Sequence, residues 1–176
     1  MVTLNQSLHQ TSHQSLLVRK AARHGLYDVE SLIHLAVLRG CRHYQNTVSD
    51  RSVQDPGQGG LSDDELSILL LHGNYRYEPM AVRCAAQLLK SLFISPGHVA
   101  FLAVQERCEI PLRYIATQAM EHDQEDPSPW AEILEVLGNQ SEPPVEGILP
   151  HVSRFMINPG IHRGKIIPAQ WLQPVS

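Results

Sequence analysis

Ten histidines, three cysteines and one run of carboxylates are the residues of this 176-residue chain whose chemistry has to be weighed first. His9 and His13 are four apart, a spacing that sets two imidazoles on one helix face as metal ligands. They stand in a Gln- and Ser-rich stretch with no carboxylate or cysteine nearby, so a solvated tail is expected and no metal site is assigned. His34 falls inside an apolar helical pattern, where a histidine is ordinarily packed and hydrogen-bonded. Cys41, Cys84 and Cys108 form no C-x-x-C and cannot all pair with one another. Each lies in an apolar helical pattern, as small reduced core residues do. Cys108 has Arg107 and Glu109 beside it, but sequence neighbours supply no base aimed at the thiol. G-x-S-x-G, H-E-x-x-H, phosphate-loop and dinucleotide fingerprints are all missing. Catalytic residues are therefore unassigned, and no cofactor is expected.

Cations make the more serious cluster. Arg19, Lys20, Arg23, Arg39 and Arg42, with His24 and His43, fall in and just after the first two helical segments. Arg19 and Arg23 are one helical turn apart, with Lys20 bordering them, and such a face can hold phosphates. A second group, Arg154, His162, Arg163 and Lys165, lies near the C-terminus. Acidic residues from Glu121 to Asp126, with Glu132 and Glu135 beyond, make the chain electrically lopsided. The competing reading for the cations is a solvated helix surface, and the net charge of -4 opposes wholesale binding to nucleic acid or acidic membrane.

Ordinary composition frames these residues: 43% apolar, 6% aromatic and 18% charged, enough for one soluble globular domain. The first twelve residues have no basic region followed by an apolar run, so no signal peptide is expected there. No apolar stretch approaches the ~20 residues of a membrane span, and a cytoplasmic protein without membrane contact is the expectation.

The elements that must position the cluster read as helices. Ser15 to His24 forms the first, closed by Gly25, and Asp28 caps a second that runs to about Arg39 and ends at Gly40. Its Val29, Leu32, Ile33, Ala36 and Val37 keep a helical apolar rhythm. Residues 45–60 are polar, with Asp55-Pro56-Gly57 and Gly59-Gly60, and are read as a loop or flexible insertion. Ser62-Asp63-Asp64-Glu65 is a capping box, with Leu61 and Leu66 placed as a hydrophobic staple. A metal-binding acidic cluster is the competing reading of that run. Further helices open at Pro79, at Ser95-Pro96, at Pro111 and at Ser128-Pro129, the last ending at Gly138. Seven helices and no convincing strand are expected.

One pattern recurs. Val18-Arg19-Lys20-Ala21-Ala22 is echoed by Val82-Arg83-Cys84-Ala85-Ala86, and Leu35-Ala36-Val37 up to Cys41 by Leu102-Ala103-Val104 up to Cys108. Leu35, Leu69 and Leu102 begin equivalent stretches at a period of about 33 to 34 residues, which stacked helix pairs produce. Glu78-Pro79-Met80-Ala81-Val82-Arg83-Cys84-Ala85-Ala86 resembles the second helix of a HEAT-like repeat: a proline start, a Val-Arg pair and small alanines. The copy at Val18-Arg19 is truncated, and the one at Pro111 has Arg113-Tyr114 in place of Val-Arg. The resemblance covers about residues 15–137 and implies an array that mostly binds proteins, in some cases nucleic acid through a basic concave face. Metal-dependent hydroxylases of this type carry paired His-Glu motifs, for which only Glu121-His122, in reversed order, stands here.

The expectation is thus an all-α fold of stacked antiparallel helix pairs, as a HEAT-like array or an irregular helical bundle. Residues 1–14 form a polar tail, 15–138 the helical domain and 139–176 an extended arm. Phe155, Ile161, Ile167 and Trp171 of the arm are expected to dock into grooves, on this molecule or on a neighbour. The expected function is non-catalytic recognition of a protein partner. The alternative is nucleic-acid or phosphate binding by Arg19, Lys20, Arg23, Arg42, Arg154, Arg163 and Lys165. A third possibility is an enzyme whose site only folding assembles.

Overall fold

A computed structural model describes residues 15–41, 53–75, 78–138, 149–157 and 160–175. These form eight helices and a short β-region: α1 (Leu16–Arg23), α2 (Val29–Leu38), α3 (Gly57–Gly60), α4 (Asp63–Leu70), α5 (Pro79–Leu88), α6 (Pro96–Glu106), α7 (Glu109–His122) and α8 (Ser128–Leu137). The all-α expectation holds. None of these helices is long and apolar enough to cross a membrane.

Local chemistry sets the helix starts. Ser15 Oγ accepts from the Val18 amide at 3.0 Å, and Asp28 and Ser31 cap each other's backbone at the head of α2. At α4 the capping box forms: the Glu65 amide donates to Ser62 Oγ (3.2 Å) and the Ser62 amide to Glu65 Oε2 (2.9 Å). Leu61 and Leu66 are both fully buried around that turn. α7 begins at Glu109, before the expected Pro111; a proline in the first turn costs nothing there because that amide has no intrahelical partner.

Helices α2, α4, α6 and α8 pack in that order, each against the next. α5 lies against α2 and α4, α7 against α6 and α8, and α1 against α4. The core between them is Leu-, Ala- and Cys-rich, and α4 and α5 bury most of their length: Leu66, Ile68, Leu69 and Leu70 from one, Ala81, Val82, Cys84, Ala85 and Leu88 from the other. Small residues on α5 let neighbouring backbones approach, which suits a helix with contacts on two sides.

Two expectations need correction. Gly57–Gly60, read as loop, is a helical turn, because Asp55 accepts from the Gly57 amide (2.8 Å) while Arg39 holds the same carboxylate (2.7 and 3.1 Å). Residues 45–52 of the expected insertion lie outside the described residues, as does the tail 1–14.

The second correction concerns strands. Met156–Ile157 (β1), Ile161–His162 (β2), Lys165–Ile166 (β3) and Gln170–Trp171 (β4) pair antiparallel, β1 with β4 and β2 with β3. Both ladders keep one register about the turn at Arg163-Gly164, whose φ angles are +50° and +77°. Residues 156–157 and 160–171 therefore pair as a ribbon about that turn. Pro159 and Pro168, with no N–H to give, fall between its two ladders in the sequence. Strands of two residues are too short to show a period-2 pattern, and Arg-Gly is not among the dipeptides that announce a two-residue hairpin.

The arm docks on its own domain. Phe155 and Trp171 bury their rings at the ribbon's root, 5.4 Å apart between centroids, and Trp171 reaches Trp130 of α8 at 5.5 Å. Trp171 Nε1 donates to the Ala86 carbonyl of α5 (3.0 Å), satisfying the indole where it is buried. The chain then crosses α5, where Gln87 Nε2 donates to the Gln173 carbonyl (2.7 Å), and ends with the Val175 amide on the Gly40 carbonyl (3.0 Å). Of the residues expected to dock, Phe155 and Trp171 are buried and Ile167 half-buried, whereas Ile161 is exposed.

Candidate binding cleft

The acidic first turn of α4 ties the array together, each carboxylate to a different element. Asp63 receives Arg39 of α2 (2.8 Å) and Ser91 Oγ after α5 (2.8 Å). Asp64 accepts from the Ser95 amide (2.9 Å) and faces His98 Nδ1 of α6 (2.7 Å). Glu65 receives Lys20 of α1 on both oxygens, at 2.6 and 2.7 Å. The run is a structural hub. Among the described residues no group of three His, Cys, Asp or Glu side chains is placed to hold a metal ion.

The Lys20–Glu65 pair holds α1 to α4 on one side. On the other, Glu106 at the end of α6 accepts from the Leu17 amide (3.3 Å), meeting the positive end of the α1 dipole. α1 thus spans α4 and α6, and a cleft of about 800 Å³ opens beside it. Leu17 and Leu102 are buried on its apolar side, and Leu16, 70% exposed, stands at its lip. Lys20, Glu65, Glu106 and Arg107 supply the charged walls.

His72 is the cleft's titratable group. Its Nδ1 accepts from the Asn74 amide (3.2 Å), and its Nε2 lies 3.7 Å from Glu106 Oε2. Burial holds its pKa below the usual histidine value, with the Glu106 carboxylate opposing part of that shift. In the neutral ring so oriented, Nε2 carries the proton and the one lone pair is already taken by Asn74. The imidazole is therefore a donor facing a carboxylate and has no free lone pair to act as a base. Neither His72 nor Glu106 was singled out by sequence reasoning. The repeat carried a signal all the same, since Glu106 stands where the first copy has Arg39, and both reach a neighbouring helix through their side chains.

The expected cationic face is dispersed. Arg19 and Arg23 are exposed on α1, but Lys20 is committed to Glu65, and Arg39 is sequestered between Asp55 and Asp63. Arg42 lies outside the described residues. Arg154, Arg163 and Lys165 are exposed on the C-terminal arm, on elements separate from α1.

The cysteines are core residues. Cys41 Sγ donates to the Cys84 carbonyl (3.6 Å), and its thiol is pushed far above the ordinary range by hydrogen bonding with Cys84 and by burial. Burial, with Glu106 and Glu109 adding to it, pushes the Cys108 thiol up to about 12. Protonated, enclosed thiols of this kind are poor nucleophiles. His34 keeps Nδ1 buried without a hydrogen-bond partner, and Glu121 and His122 approach only to 3.8 Å on the outside of α7. His9 and His13 lie outside the described residues.

Compared with models of known protein families, with curated proteins and with solved structures, the chain matches none.

Proposed function

We infer that the chain is a non-catalytic helical binding protein whose cleft beside α1 takes a segment of a protein partner. The observation that supports this is the pairing of charges around an apolar surface. Lys20 with Glu65, and Glu106 with the Leu17 amide and His72, are paired within the walls, Arg107 is exposed to solvent, and Leu16 stays 70% exposed at the lip. A partner side chain entering there covers apolar surface without stranding a charge, which is how interface centres are built. The order of helix packing and the recurring Leu-Ala-Val to Cys segments support reading the scaffold as a HEAT-like array. A photo-reactive amino acid in place of Leu16, in the full chain, tests the reading. It predicts a nuclease-resistant adduct with one polypeptide, which Leu102→Asp abolishes. Adducts that vanish with nuclease, or that ignore Leu102→Asp, contradict it.

Exposure of Arg19 and Arg23 one turn apart on α1 favours a second reading, a nucleic-acid contact. Its affinity would fall steeply with salt, and Arg19→Glu with Arg23→Glu would weaken it. Binding indifferent to both removes it.

A further inference from the structure

Resting on the reading of the cleft as a site for a protein segment, we propose that Arg107 sets which segment it takes. That segment carries an Asp or Glu side chain close to the apolar side chain that covers Leu16. Three helices close with the same left-handed turn, at Gly25 (φ +78°), Gly40 (φ +99°) and Arg107 (φ +58°). Glycine adopts that backbone without steric cost, and arginine is not among the residues that visit it routinely. The end of α6 therefore bears a strain that the ends of α1 and α2 avoid.

The fold does not offset that strain through the side chain. Arg107 is exposed, and its guanidinium makes no hydrogen bond or ion pair among the described residues. Strain held without a structural return gathers at functional positions. Left-handed backbone alone does not make a site, since Arg163 shares it at the ribbon's turn. Arg107 adds a second feature, its place in the wall of the cleft of about 800 Å³ beside Leu16, Leu17 and Leu102.

The charges of that wall identify the occupant. Glu65 has both oxygens on Lys20, while Glu106 accepts from the Leu17 amide and faces His72. Among the described residues of the wall, Arg107 is the charge left unpaired. Its planar guanidinium suits a carboxylate, which it meets with two parallel hydrogen bonds. A nucleic-acid strand fits this wall poorly, because its repeating phosphates run past Glu65 and Glu106 as well as Arg107. One carboxylate next to one apolar side chain matches both the unpaired cation and the apolar side of the cleft. Arg107 thus selects the segment, and Leu16 with Leu102 holds it.

A random peptide display library panned on the full chain supplies the probe, and titration of the selected peptides reads the effect. The peptides should carry Asp or Glu, and replacing that acid by its amide should weaken binding to the wild type roughly tenfold. Arg107→Gly should bind the original peptides weaker by the same factor and be indifferent to the amide replacement, while melting no lower than the wild type. Panning on Arg107→Glu should return peptides with Lys or Arg at that place instead. Peptides that bind Arg107→Gly as tightly as the wild type, yet are lost on Leu16→Glu, overturn the role of Arg107 and leave the cleft reading standing. Peptides indifferent to Leu16→Glu as well overturn both. A single-stranded oligonucleotide that loses affinity on Arg107→Gly, with the peptides unaffected, assigns the charge to phosphate and also overturns the proposal.

Discussion

Cys41 and Cys108 hold the same position at the ends of two stacked helices. The Cys41 amide reaches back to the Ala36 carbonyl at 3.0 Å, and the Cys108 amide to Ala103 at 2.8 Å. Before each, a residue turns left-handed and donates to a valine carbonyl: Gly40 (φ +99°) to Val37, and Arg107 (φ +58°) to Val104. This double closure satisfies the last carbonyls of α2 and α6, and the buried cysteine fills the apolar place just past the turn. Leu26, Gly25 and Ala21 repeat the arrangement at the end of α1.

Arg107 does with a side chain what Gly40 does without one, and a left-handed non-glycine residue costs roughly 1–2 kcal/mol. Arg107→Gly relieves that strain and adds freedom to the unfolded chain, so a net gain of about 0.5–1 kcal/mol is expected. Urea denaturation measures it; a loss of stability contradicts the cap assignment.

Gly40 is constrained twice. A Cβ there would meet the Val175 carbonyl oxygen at 2.3 Å, in addition to the strain of its positive φ. Gly40→Ala should therefore destabilise by about 2–4 kcal/mol, at the upper end of ordinary single substitutions. Ending the chain after Gln173 removes the clash but not the φ strain. In that background the same substitution should cost only about 1–2 kcal/mol. Equal costs in the two backgrounds would mean that the arm does not lie on Gly40.

Arg39 and Asp63 are both nearly buried, so Asp63→Leu leaves the guanidinium with only the more exposed Asp55. Breaking one half of a buried pair costs about 3–5 kcal/mol, and Arg39→Met together with Asp63→Leu should recover part of it. A double-variant cycle by denaturation gives the coupling. Additive costs would remove the pair from the account of how α2 meets α4.

Acid should weaken the fold in two steps of the same sign. Burial lowers the pKa of His72, whose ordinary value is 6.5, so the unfolded chain takes up the proton first. Its contribution is full above 6.5 and is lost as pH falls from there through the lower folded value. Hydrogen bonds from Arg39 lower the pKa of Asp55 from 3.8. That contribution is full above 3.8 and is lost as pH falls through its folded value. Melting temperatures recorded from neutral to mildly acid pH should show the first step in the wild type and not in His72→Gln. An unchanged first step in that variant contradicts the assignment.

Helix starts were legible because capping is local: Ser62 with Glu65, Asp28 before Val29 and Pro79 all declare themselves within one turn. The repeat was legible in part. Cys41 and Cys108 are structurally equivalent, but Tyr75, which follows Leu69 at the spacing by which they follow Leu35 and Leu102, ends a 3-10 turn in which its amide bonds to the His72 carbonyl, with no left-handed cap. The cleft was not legible, since it depends on Glu106 meeting Leu17 and on Lys20 meeting Glu65 across long stretches of chain. The pairing of two of the cations was hidden for the same reason: a sequence shows which helix carries Lys20 and Arg39, but not that acids on α4 and near α3 neutralise them. The ribbon escaped notice because its strands are only two residues long and its turn residue Arg163 is an unusual choice.

The measurement that tests the central claim most directly is hydrogen exchange on the full chain with peptides selected from a random display library. The account predicts that the selected peptides protect amides in α1 and at the end of α6, and that Leu16→Glu removes both the binding and the protection. Peptides that protect other elements and bind Leu16→Glu unchanged would contradict it.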